Sequence, residues 1–83
     1  MTAEETPWSY QLIEEADATF RVEVTDEDGA MLPIARQVTH RQAEKLIQRI
    51  ATEANRERKP IKAIIRDPYF MAATVITIKR QAI

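Results

Sequence analysis

The chain has 83 residues, 45% hydrophobic and 30% charged, with one glycine, no cysteine and a formal net charge of −1 at pH 7. These figures describe one small domain of ordinary globular composition, and they exclude disulfides, thiol nucleophiles and thiolate metal sites. The small net charge conceals a split, because residues 1–31 carry nine acids against one base and residues 32–83 carry eleven bases against four acids.

A field of that kind selects partners and speeds encounter without dictating the fold. A chain of this length buries only about 60–65% of its unfolded surface, so one small core has to suffice. No apolar run approaches the ~20 residues of a membrane span. Met1 to Pro7 is acidic and polar, unlike a secretory signal. The expected setting is cytoplasmic, with no membrane partner.

Residues 1–6 read as a flexible acidic tail, and residues 7–83 as a single α+β domain. From Trp8 to Glu15 two readings compete. A period of two puts Trp8, Tyr10 and Leu12 on one strand face; alternatively, Thr6 would cap a helix with Pro7 at its first position. The aromatic content favours the strand. Ala18 to Thr25 is the clearest strand, with Phe20, Val22 and Val24 alternating with Thr19, Arg21, Glu23 and Thr25. Asp28-Gly29 then predicts a tight turn. Ala30 to Val38 returns as a second strand, at an edge or interrupted, because Pro33 cannot donate to a ladder.

Thr39-His40-Arg41-Gln42 fits a capping box. Ala43, Leu46, Ile47, Ile50 and Ala54 follow the spacing of one helix face, and the helix extends to about Asn55–Arg58 before Pro60 stops it. Ile61 to Arg66 reads as a strand, Asp67-Pro68 as a turn, and Ala72 to Lys79, apolar on nearly both faces, as a central strand.

The expected architecture is an antiparallel or mixed sheet of about four strands, with one long mid-chain helix on one face, in the order β-β-(β)-α-β-β. The uncovered face would hold Ser9, Gln11, Thr19, Arg21, Glu23, Lys62 and Arg66, with Ile64 and Val75 as an apolar patch on which two copies could pair.

Catalysis has little to build on. Ser9 and His40 are the sole serine and histidine, no nucleophile-elbow sequence surrounds Ser9, and the acids lie in tail, strand ends and turn, where pKa tuning is weak. The expectation is a non-enzyme with no cofactor. Asp26-Glu27-Asp28-Gly29 resembles the start of a calcium loop, but Val24 stands where a ligand is needed and the distal glutamate is missing, leaving a charged hairpin turn. His40 and Glu44 are one helical turn apart, and two ligands without a third are not a metal site. One glycine cannot build a phosphate cradle.

The strongest signal is a row of cations. Arg41, Lys45 and Arg49 recur every fourth residue on the polar side of the helix, and Arg56 continues that side. Like charges at this spacing repel, and cations in a first turn oppose the helix dipole. The row therefore calls for an anion, either on this chain or on another molecule. Arg56, Arg58, Lys59 and Lys62 complement a helix C-terminus. Tyr69-Phe70-Met71, after a proline turn, reads as a lid on the core or as an apolar anchor for a partner.

The leading expectation is a small protein-binding module (regulator, inhibitor or adaptor) that docks on an acidic protein surface through Arg41, Lys45, Arg49 and Arg56, with Tyr69 and Phe70 as apolar contacts. The alternatives are a nucleic-acid-binding domain using the same helix face, which an overall pI near 5.8 disfavours, and a self-associating structural subunit.

Overall fold

The computed structural model describes residues 7–81; the tail expected over residues 1–6 lies outside them. Three strands come first: β1 (Ser9–Ala16), β2 (Thr19–Thr25) and β3 (Met31–Val38). They form an antiparallel meander in the order β1-β2-β3. Three helices follow: α1 (His40–Glu57), α2 (Ile61–Ile65) and α3 (Pro68–Gln81).

The segment that opened ambiguously is a strand, with Tyr10 opposite Val24 and Leu12 opposite Val22. Ala18 takes a φ of 57° to close the first turn, and Gly29 takes 83° to close the second. β3 is an edge strand, as Pro33 requires, and its register against β2 shifts on either side of Val22. The bulging lets Pro33 sit opposite Glu23 although it has no amide to offer.

Helix α1 begins with the capping box read from the sequence. Gln42 N–H donates to the Thr39 hydroxyl at 3.1 Å, and Thr39 N–H donates to the Gln42 side chain at 2.8 Å. The helix ends at Arg58, whose φ of 55° is left-handed. Its apolar stripe of Ala43, Leu46, Ile47 and Ile50 meets Val22, Val24 and Val38 of the sheet and Ile61 and Ile64 of α2 in one core. Arg21 and Glu23 alternate with Val22 and Val24, so they lie on the opposite sheet face. There Arg21 pairs with Glu15 and Glu23, and Arg36 also pairs with Glu15.

The α+β class is as expected; the second half of the chain is not. The sheet has three strands rather than about four, and Ile61–Arg66 and Ala72–Lys79 are helical. In the first segment, Ile61 and Ile64 are both buried while Ala63 is exposed, which is a spacing of three, not of two. Lys62 and Arg66 therefore do not belong to the sheet's outer face.

In the second segment, Thr74, Val75, Ile76, Thr77 and Ile78 have strong β propensity, yet the helix sets Thr74 and Ile78 one turn apart and buries both. The supposed turn at Asp67-Pro68 is a helix start. Pro68 is the first residue of α3, and Asp67 Oδ1 accepts the amides of Tyr69 and Phe70 at 3.0 and 3.2 Å. Tertiary packing outweighs intrinsic preference here.

The helical placement of α2 has a direct signature. Ile61→Ala and Ile64→Ala are each expected to cost about 2–4 kcal/mol in urea unfolding, while Ala63→Lys stays within about 0.5 kcal/mol of the parent. A strand at this position would make Ile61 and Ala63 equally sensitive.

Candidate functional site

The acids must be placed before the cations. Asp26, Glu27 and Asp28 form the tip of the β2–β3 hairpin, and each has an internal partner. Asp26 is 2% exposed. Its Oδ1 accepts the amides of Asp28 and Ala30, both at 2.9 Å, which shapes the loop; its Oδ2 is buried with no hydrogen bond among the described residues. Glu27 reaches across to α2, where its two carboxylate oxygens accept the first helical amides, those of Ile61 and Lys62. Helix α2 has no cap from its own N-terminal flank, because its N-cap residue is Pro60. Glu27 supplies the missing acceptor and the negative charge that a helix N-terminus favours.

Asp28 closes the clasp by pairing with the Lys62 ammonium. The hydrogen bond from Lys62 holds the Asp28 carboxyl below its ordinary value, and the same contact raises Lys62. On the outer sheet face, Glu15 is held low, first by its hydrogen bond from Arg36 and then by Arg21. Glu15, Glu23, Asp26, Glu27 and Asp28 are thus engaged within the fold.

The row on α1 is different. Arg41, Lys45 and Arg49 are all exposed, opposite the stripe that enters the core. Among the described residues none of the three forms an ion pair, while Glu44 faces His40 and Glu53 and Glu57 hold Arg56. Arg56 donates hydrogen bonds to the Glu53 carboxylate at 2.8 Å and is raised chiefly by that contact, so it is set apart from the row.

Of the two aromatic candidates, Tyr69 is 86% exposed, whereas Phe70 is half-buried against the core. The remaining cations at the end of α1 divide: Arg58 is the C-cap, and Lys62 belongs to the clasp.

Lys45, Gln48, Arg49 and Thr52 of α1 line a shallow groove of about 350 Å³ with Ile78 of α3. The exposed Lys79 and Arg80 follow Ile78 directly, so the end of α3 adds positive charge beside the row. Reading α3 as a strand concealed this juxtaposition; the tandem cations after an apolar run were the signal that could have revealed it. A second groove, of about 470 Å³, runs between Trp8, Ala51, Ala54 and Pro60 with Arg58 and Lys59 at its rim. Its one carboxylate, Glu27, is already committed to α2.

Ser9 and His40 stand apart. Ser9 is opposite Thr25, while His40 sits edge-on to Phe20, 5.7 Å between ring centres; along β2 that separation is about 17 Å. No three histidines, aspartates or glutamates come together as a metal-holding group among the described residues. No described helix is long and apolar enough to cross a membrane. No family model, curated protein or solved structure matches this chain.

Two outcomes test the clasp. Glu27→Ala is expected to lower stability by about 1–2 kcal/mol, the usual cost of a lost helix cap, as read by urea denaturation. Because the folded Asp28 carboxyl titrates below its ordinary 3.8, its pairing contributes stability that is fully present above that pH and is lost as pH falls through the folded value. Asp28→Asn is expected to remove that contribution and flatten the acid limb of a circular-dichroism pH titration.

Proposed function

We propose that this chain is a non-enzymatic binding module that docks on an acidic protein surface through the outer face of α1. One observation carries the reading: Arg41, Lys45 and Arg49 form an exposed row with no ion-pair partner among the described residues, while Glu15, Glu23, Glu27 and Asp28 are engaged elsewhere. The repulsion within the row and its conflict with the helix dipole are relieved when the anion arrives on another molecule. The groove beside Ile78 gives that anion an apolar neighbour, and Lys79 and Arg80 extend the positive field around it.

The extent of the row favours a protein over a duplex. Arg41 to Arg49 spans about 12 Å of helix, and the row ends where Glu53 and Glu57 neutralise Arg56. Duplex affinity rests largely on the number of phosphates neutralised along the backbone. Three cations on α1 with Lys79 and Arg80 beside them suit a compact acidic cluster better.

The test is fluorescence anisotropy at low ionic strength with two labelled probes, an oligoglutamate peptide and a mixed-sequence DNA duplex. The peptide is expected to bind more tightly than the duplex and to weaken with added salt. The triple variant Arg41→Glu, Lys45→Glu, Arg49→Glu is expected to lose at least tenfold in affinity. Tighter duplex binding would transfer the reading to nucleic acid, and an unchanged peptide affinity in the variant would remove the α1 face from it.

A further inference from the structure

The groove between α1 and α3 is short, and the charge along it has one sign. Lys45, Gln48, Arg49 and Thr52, at the i, i+3, i+4 and i+7 positions of one helix face, form its α1 side, and Ile78 comes from α3. The four α1 residues are exposed, whereas Ile78 is 7% exposed and forms the floor. No carboxylate lines the groove among the described residues. Lys79 and Arg80, next to Ile78, are exposed, and neither forms an ion pair among the described residues.

The apolar part of this surface is small. About 10 Å of helix separates Lys45 from Thr52, the length of about three extended residues. Lys45 and Arg49 bring methylene stems as well as charges to that stretch, and the Thr52 methyl and Ile78 complete it. A groove of about 350 Å³ with these walls accepts one aliphatic side chain rather than an apolar run.

Resting on the reading of α1 as a docking face, we infer that the partner presents a single aliphatic side chain between carboxylates. That side chain sits in the groove over Ile78, and the carboxylates meet Lys45 and Arg49 on one side and Lys79 and Arg80 on the other. The cations decide the occupant. An apolar side chain flanked by bases would bring like charges together, and a purely acidic segment would leave the floor of the groove unfilled. Charge then governs encounter, while the seated side chain discriminates among acidic surfaces.

The test compares two labelled peptides of equal length and charge by fluorescence anisotropy at low ionic strength. In one, glutamates surround a central leucine; in the other, they surround a central serine. The leucine peptide is expected to bind about fivefold to tenfold more tightly, as partial burial of its side chain requires. Added salt is expected to weaken both peptides by screening their carboxylates and to leave the ratio between them unchanged.

Thr52→Tyr and Gln48→Tyr each fill the groove from an exposed position, and each is expected to remove the leucine advantage. Arg41 does not line the groove, so Arg41→Glu is expected to weaken both peptides by the same factor. Equal affinities for the two peptides would overturn this inference and leave the α1 docking face standing. A leucine advantage that survives both tyrosine variants would also overturn it, by placing the side chain elsewhere. Failure of both peptides to bind would overturn it together with the docking face.

Discussion

Glu27 accepts the first amides of α2 from 34 and 35 positions earlier in the chain, and much of the molecule follows from that contact. The three-stranded meander has one apolar face, and a single helix would leave a small domain short of core. Helix α2 is five residues long, far too short to persist on its own, and Pro60 cannot cap it with a side chain. The hairpin tip substitutes for the missing cap. With Glu27 on its amides and Asp28 on Lys62, α2 is fixed where Ile61 and Ile64 complete the core begun by Val22, Val24, Leu46 and Ile50. Asp67 then restarts the chain as α3 within two residues of the end of α2.

The same contact explains the charge distribution. Acids gathered at a hairpin tip would repel one another in solvent; here Asp26 holds the loop's own amides, while Glu27 and Asp28 hold different groups of α2. Their engagement leaves the α1 row without an ion-pair partner among the described residues. Glu27 and Asp28 anchor α2, and Arg41, Lys45 and Arg49 face outward on α1.

The first half of the fold was legible because its signals are local. Alternation of Val22 and Val24 with Arg21 and Glu23, the Asp28-Gly29 turn, the Thr39–Gln42 box and the 3-4 spacing from Ala43 to Ile50 each specify an element without reference to the rest of the chain. The second half was not legible. Ile61 to Ile65 is short enough to satisfy either period, and the β-branched run from Thr74 to Ile78 favours a strand until the packing of Thr74 and Ile78 against the core is known. Asp67-Pro68 carried the correction in plain view, since an aspartate before a proline begins a helix as readily as it makes a turn. The row Arg41, Lys45, Arg49 was visible from spacing alone. The engagement of Arg56 by Glu53 and Glu57, the role of Glu27 and the groove beside Ile78 depend on contacts or chain reversals that spacing does not report.

The central claim is that the unpaired cations on one face of α1, Arg41, Lys45 and Arg49, meet an acidic partner. An amide ¹⁵N–¹H correlation spectrum, recorded while the acidic peptide is titrated at low salt, locates that face residue by residue. The account predicts progressive shifts at Arg41, Lys45, Gln48, Arg49 and Thr52, with Glu27, Asp28 and the strands unmoved. Shifts centred on the Arg58–Lys62 segment or the sheet, with α1 silent, would contradict it.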